Sequence, residues 1–224
     1  MVFEQNVHVI VCLTAVSPNR ASRSQKAEQY WPPAGETDFL DQSDLCVRNV
    51  DSVDSEDQVA YRHFEIWNPL DTEDGARRHN VLLVHYQGWP DHGVPSKTTD
   101  LRDILYRIRA WKADQQQTSG TTDFGPMVVH CSAGCGRTGT FCVVDTVLSV
   151  LEYTRYPHMA APSPSGHTMP VSSQQGTGDA VYDWRSDRDI IFESLTSFRE
   201  ERMLMVQTAA QYSFCYTVAR DLCR

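Results

Sequence analysis

The sequence of 224 residues lacks several features that would point to a particular class of protein. It has no run of about 18 apolar residues, so we expect no membrane-spanning helix. It has no excess of positive charge, because its formal net charge is -9, which argues against a nucleic-acid partner and a basic membrane-binding surface. Its first residues, MVFEQNVHVIVCL, carry no basic segment before the apolar run, so we predict no signal peptide.

Cysteines are present, but not in the spacing of a disulfide framework. There are seven of them, an odd number, which favours a reducing compartment, and we therefore predict a cytoplasmic protein. The apolar fraction, 41%, is slightly low for a compact domain. We therefore expect part of the chain to lie outside the packed core.

The most informative stretch is residues 126–141, PMVVHCSAGCGRTGTF. An apolar run at 127–129 predicts a buried strand, and only small residues separate Cys131 from Arg137. An apolar periodic pattern then predicts a helix over 138–153. The unit is therefore a strand, a tight loop of small residues and a helix.

Such a loop suits a phosphoryl group. Glycines let successive backbone N–H groups turn into one concavity, and the start of a helix adds its positive dipole end. A cysteine in that field, here Cys131, is expected to have a pKa of roughly 3.5–7.5 instead of about 8.5. Arg137 adds a planar set of donors that matches two phosphate oxygens. The residues expected to bind the phosphoryl group are Ser132, Ala133, Gly134, Cys135, Gly136 and Arg137.

The sequence HCSAGCGRTG resembles the Cys-x5-Arg signature of the protein tyrosine phosphatases, in the form used by the phosphotyrosine-specific branch. The resemblance implies an α/β fold: a twisted mixed sheet flanked by helices, with the Cys-x5-Arg loop between a central strand and a helix. It implies hydrolysis of phosphotyrosine through a phosphocysteine, with no metal or cofactor. Thr138 would donate to the leaving sulfur or cap the helix, and His130 would orient the loop or be a core histidine. Less favoured alternatives are a structural Cys131 in a glycine-rich turn, or a zinc site with Cys135 that lacks a second ligand pair.

Residues 88–95, GWPDHGVP, predict a loop with a stiff centre and flexible ends. Thiolate attack expels a phenoxide that needs a proton, and Asp91 on a mobile loop can supply it and later act as the base. The segment resembles the mobile acid loop of the same family. The alternative is an aspartate that only forms a turn.

A third motif, QTAAQYSF, occupies residues 207–214 and resembles the QTxxQYxF motif of the family. By that match Gln207 positions the attacking water and Gln211 supports it. Because the two glutamines are four residues apart, we expect them on one face of a helix.

The remaining elements follow from periodicity. The pattern predicts strands at 7–13, 45–53, 59–67 and 80–86, the second and third forming an antiparallel hairpin. It predicts helices at 98–113 and 189–199, with a polar loop at 114–124.

We interpret residues 1–224 as a partial phosphatase catalytic domain that lacks the N-terminal lobe of the family, because a core strand begins at residue 7 and no Asn-x-Arg-Tyr stretch occurs. The segment at about 157–186 is rich in Pro, Ser and Gly, and we expect a disordered insert. By resemblance Lys26 contacts the acid loop; otherwise it is a solvated charge.

The expected partners are phosphotyrosine-containing proteins. Two other functions remain open from the sequence. One is a weak or inactive phosphotyrosine-binding module, and the other is a dual-specificity phosphatase.

Overall fold

The computed structural model describes residues 1–16, 27–40, 44–54, 58–70, 78–155 and 188–223. Over these ranges the chain forms two compact units. The sheet unit combines Met1–Asp91 with Asp103–Ala133. The helical unit combines His92–Arg102 with Gly134–Arg224.

The sheet unit contains one mixed sheet, which confirms the predicted α/β class. Its six described strands are β1 (Val9–Cys12), β2 (Thr37–Leu40), β3 (Leu45–Asp54), β4 (Val59–Trp67), β5 (His79–Tyr86) and β6 (Met127–His130). Their order is β2-β3-β4-β5-β1-β6. The first four are joined by antiparallel pairings, whereas β1 pairs in parallel with both β5 and β6.

In the sheet, the apolar strands are buried and a strand with polar residues is exposed. The strands β1 and β5 are nearly continuous apolar runs and lie inside the strand order, as expected for strands covered on both faces. Residues of both strands belong to a buried core cluster, which consists of Cys12, Trp31, Phe64, Ile66, Val81 and Leu83. The edge strand β2 is exposed along its whole length and was not predicted, because its sequence TDFL has no alternating pattern.

The strand before the cysteine loop differs from the expectation in one respect. It was predicted to be central, but β6 stands at one end of the described strand order and is paired there with β1. The register of that pairing sets Cys12 opposite His130, and Leu13 N–H donates to the carbonyl of His130 at 2.8 Å. The parallel pairing therefore fixes the chain up to the residue before Cys131.

Helix α1 (Thr99–Ser119) begins in the helical unit and continues in the sheet unit. The prediction ended this helix at residue 113 and was wrong about the start of the following loop. Glutamine is a good helix former, and the hydroxyls of Thr118 and Ser119 donate to carbonyls four residues back, so the helix tolerates polar residues in its last turns. It ends before Gly120, whose φ of 70° is left-handed.

The helical unit contains α2 (Gly136–Arg155), α3 (Ile190–Glu201) and α4 (Ala209–Leu222), and α2 packs against the other two. Two caps define where helices begin. Asp189 accepts from Phe192 N–H at the start of α3, and Thr208 accepts from Gln211 N–H in a capping box at the start of α4.

Two predicted features lie outside the described residues: the insert at 157–186 and Lys26. The interpretation of a missing N-terminal lobe stays a prediction. Among the described helices, none is long and apolar enough to cross a membrane.

Candidate active site

Cys131 directly follows β6 in the sheet unit and is 9% exposed. The side chain before it is hydrogen-bonded on both ring nitrogens. His130 Nδ1 lies 3.3 Å from the carbonyl oxygen of Cys131, and its Nε2 lies 2.7 Å from the hydroxyl of Tyr30. A carbonyl oxygen can only accept, so Nδ1–H is the donor and Nε2 accepts from Tyr30.

Tyr30 is the first residue of the sequence Tyr-Trp-Pro at positions 30–32. Its ring packs edge-on against Trp31 and tilted against His130. Partial desolvation raises the pKa of Tyr30 above its ordinary value, so the hydroxyl stays protonated and remains a donor. Tyr30, His130 and the carbonyl of Cys131 thus form one hydrogen-bonded series within the sheet unit.

The second half of the cysteine loop belongs to the helical unit. Gly134 has a φ of 68°, a left-handed conformation that glycine adopts without strain. The carbonyl of Cys135 accepts from Gly139 N–H at 2.8 Å and from Val206 N–H at 3.3 Å. These two bonds tie the loop to the first turn of α2 and to the segment before α4.

Arg202 was not predicted and lies against this half of the loop. Its Nε donates to the sulfur of Cys135 at 3.4 Å, and its guanidinium nitrogen is 3.4 Å from where a Cβ of Gly134 would stand. Neighbouring Arg199 donates to the carbonyls of Met205 and Val206, both at 2.9 Å. No local sequence pattern signals the contact of Arg202 with Cys135, since the two residues are 67 positions apart.

Arg137 and Thr138 lie in the first turn of α2 and are both buried, 5% and 7% exposed. The hydroxyl of Thr138 has no hydrogen-bond partner within the part of the chain that the structure describes. A buried hydroxyl without a partner is uncommon in proteins and calls for an explanation. Ser132 and Ala133 are exposed by contrast, as the rim of a loop would be.

The glutamine motif is arranged differently from the prediction. Gln207 precedes the helix cap Thr208, so only Gln211 is on α4 and the two glutamines do not share a helix face. The capping residue breaks the helix between them. Their side chains are nevertheless close to one point, because a Cβ on Gly136 would lie 2.8 Å from Gln207 Oε1 and 3.0 Å from Gln211 Oε1.

Asp91 is the last residue of the first segment of the sheet unit and is exposed. The chain before it is anchored by Trp89, which is 2% exposed and packs against Tyr86. The next residue, His92, has a φ of 57°, and Gly93 follows in the helical unit. Among the described residues, no group of three or more His, Cys, Asp or Glu side chains could hold a metal ion.

Comparisons with known proteins agree with these motifs. The family profile described as protein-tyrosine phosphatase matches residues 1–162. The chain is 30% identical to rat receptor-type tyrosine-protein phosphatase epsilon, over 99% of this chain and 25% of that protein. It is 30% identical to the protein-tyrosine-phosphatase PTP1 of Arabidopsis thaliana, over 99% of this chain and 52% of that protein.

A third relative is human tyrosine-protein phosphatase non-receptor type 9, 31% identical over 96% of this chain and 30% of that protein. The chain therefore spans between a quarter and about half of the length of these relatives. Because the family profile covers more than half of the chain, the chain belongs to the protein-tyrosine phosphatase family.

Proposed function

We propose that this chain hydrolyses phosphotyrosine in proteins through a phosphocysteine intermediate. The observation that carries the proposal is the arrangement at the start of α2, where both motif glutamines surround Gly136 of the Cys-x5-Arg loop. An uncharged amide that both donates and accepts can hold a water molecule beside the loop without competing as a nucleophile. Hydrolysis of a phosphocysteine is a reaction that needs such a water molecule.

In the first proposed step Cys131 attacks phosphorus as a thiolate. The sulfur–phosphorus bond forms while the bond to the tyrosine oxygen breaks, and Asp91 gives its proton to the departing phenolate. The oxygens of the phosphoryl group are held by the side chain of Arg137 and by backbone N–H groups of the loop. The residues that would supply those groups are Ser132, Ala133, Gly134, Cys135 and Gly136.

In the second proposed step a water molecule attacks the phosphocysteine. Gln207 holds the water, and Asp91, now ionised, takes its proton. The sulfur–phosphorus bond breaks and the thiolate returns, with the hydroxyl of Thr138 donating to it. The buried hydroxyl of Thr138, which has no hydrogen-bond partner among the described residues, supports this last role. Neither step uses a metal ion or an organic cofactor.

We also propose that the protein acts in the cytoplasm on phosphotyrosine-containing signalling proteins. None of its seven cysteines forms a disulfide, which suits a compartment where thiols stay reduced. A nucleophilic thiolate would lose its activity where thiols are oxidised.

The test is phosphate release from a phosphotyrosine peptide. Cys131→Ser should abolish release, and Asp91→Ala should lower turnover while leaving peptide binding. Matched controls are Cys223→Ser and Asp114→Ala, which change an exposed cysteine and an exposed aspartate elsewhere and should leave turnover unchanged.

Two results would overturn the proposal. Full turnover in Cys131→Ser would exclude the cysteine mechanism. Tight binding of the phosphopeptide without any turnover by the unmutated chain would make the protein a binding module. A phosphothreonine peptide in the same assay distinguishes a phosphotyrosine-specific enzyme from a dual-specificity phosphatase, because the latter would release phosphate from both peptides.

A further inference from the structure

The side chain of Gln211 joins two parts of the helical unit that are far apart in sequence. It is 1% exposed. Its Oε1 accepts from the backbone N–H of Gln207 at 3.0 Å and of Thr208 at 3.4 Å. Its Nε2 donates to the carbonyl of Gly93 at 3.3 Å, across 118 positions of the chain.

Helix capping explains only one half of this amide. A capping box needs a side-chain acceptor for the N–H of the cap residue, which Oε1 of Gln211 provides for Thr208. The donor half contributes nothing to the cap. Its partner is Gly93, which follows Asp91 by two residues.

The segment held by this bond has an unusual backbone. His92 has a φ of 57°, in the left-handed region that a residue with a side chain seldom occupies. The next residue, Gly93, has no side chain, so its backbone can adopt many conformations at similar energy. A segment of this kind needs a contact that selects one conformation, and the bond from Gln211 to Gly93 is such a contact.

We propose that Gln211 is a positioning residue for the general acid: through Gly93 it holds the acid-bearing segment in the arrangement in which Asp91 protonates the leaving group. The inference rests on the proposed phosphatase function. The hydrogen bond from Gln211 to the Gly93 carbonyl joins two neutral groups, so its loss should lower the acid-dependent rate about 3- to 10-fold.

The test uses Gln211→Glu. Above the pKa of the introduced carboxyl, the carboxylate keeps acceptor oxygens for the N–H groups of Gln207 and Thr208, but it has no hydrogen to donate to Gly93. Turnover is measured on aryl phosphates whose leaving phenols differ in acidity. Loss of acid positioning should slow the poorest leaving group by the full 3- to 10-fold and the best leaving group hardly at all, because a good leaving group departs without a proton.

The pH dependence supplies a readout that a purely structural defect would not give. Burial favours the neutral form of the introduced carboxyl, and the protonated carboxyl regains a hydrogen that it can donate to the Gly93 carbonyl. The ratio of variant to unmutated rates on the poor leaving group should therefore rise towards one as the pH falls. Thr208→Ala is the matched control, because it removes the hydroxyl that accepts from Gln211 N–H and leaves the donor to Gly93 in place. Any loss of turnover in this variant should not depend on the leaving group.

The possible results distinguish failure of this inference from failure of the proposed phosphatase function. An equal loss on all leaving groups in Gln211→Glu, or no loss, would overturn the inference while leaving the phosphatase proposal intact. Absence of Cys131-dependent turnover in the unmutated chain would overturn both.

Discussion

Gly136 and Gly139 both lie in the first turn of α2, but a side chain added at each would meet different neighbours. A Cβ at Gly139 would lie 2.6 Å from the backbone nitrogen of Val206 and 3.0 Å from Cα of Met205. A Cβ at Gly136 would instead meet the ends of two side chains, Gln207 and Gln211, at 2.8 Å and 3.0 Å. Alanine at the two positions should therefore have different consequences.

Gly139→Ala should destabilise the protein. Backbone cannot rotate away as a side chain can, so the segment at 205–206 must shift, and overpacking of this kind costs about 1–3 kcal/mol. The shift would also weaken the bond from Val206 N–H to the carbonyl of Cys135, worth about 1 kcal/mol. Alanine regains about 1 kcal/mol of helix propensity over glycine. The net expectation is a loss of about 1–3 kcal/mol, or about 2–12 °C in melting temperature for a chain of this size.

Gly136→Ala should leave the stability nearly unchanged and lower the activity. Gln207 is exposed and can move aside, whereas Gln211 is buried and bonded, so the substitution displaces mainly Gln207. A displacement of about 1 Å from a catalytic position can cost on the order of 100-fold in rate. Because the proposed role of Gln207 is in the second step, the phosphocysteine should accumulate, and rapid mixing should show a burst of released phenol before slow turnover.

The assay pair is thermal unfolding and burst kinetics on both variants. Unchanged turnover in Gly136→Ala would refute the assignment of the glutamines to this loop. A melting temperature for Gly139→Ala equal to that of the unmutated chain would refute the contact with Val206. Gly120→Ala is a contrast in which the added Cβ would meet nothing within 4 Å but the φ of 70° is left-handed, so its loss of stability would report on backbone strain and not on a contact.

Three further predictions can be checked on the same protein. Tyr30→Phe removes the donor to His130 and should lower turnover about 2- to 10-fold with little change in melting temperature, and an unchanged rate would show that His130 needs no such partner. Burial raises the pKa of Cys142 and Cys215 to about 12, so iodoacetamide at about pH 7 should alkylate Cys131 long before either, and peptide mapping that finds Cys142 modified as fast as Cys131 would contradict this order. Burial lowers the pKa of His8, so the folded state favours its neutral form; stability should be full above about pH 6.5 and fall as the pH drops towards the lowered value, and urea unfolding of His8→Gln should show a smaller fall.

Most of the regular structure could be predicted because it depends on local patterns. Alternating apolar residues gave β3 and β4 as a hairpin, and the observed pairing of Val53 with Tyr61 has that antiparallel register. Continuous apolar runs gave β1 and β5. The end of α1 was placed six residues early, because polarity alone does not end a helix when hydroxyls can bond to its carbonyls.

The candidate site was predictable in its residues but not in its contacts. The small-residue loop before a helix is a sequence-local signal, and so is the spacing of Cys131 and Arg137. The bonds from Arg202 to Cys135 and from Gln211 to Gly93 cross 67 and 118 positions, and no periodicity reports on such pairs. The cap at Thr208 was also a local signal, since Thr followed three residues later by Gln is a capping box, but the interpretation of the glutamines as one helix face overrode it.

The two glutamines do not carry equal information about function. Gln211 also has a structural role, because an apolar residue there would remove the acceptor of two backbone N–H groups and the donor to the Gly93 carbonyl. Gln207 is exposed, and within the described part of the chain no hydrogen bond of its side chain stabilises the fold. Gln207→Ala should therefore leave the melting temperature unchanged while slowing hydrolysis of the phosphocysteine. An enzyme that turns over normally without that side chain would have its water positioned by another group, and the resemblance at this position would then be one of sequence alone.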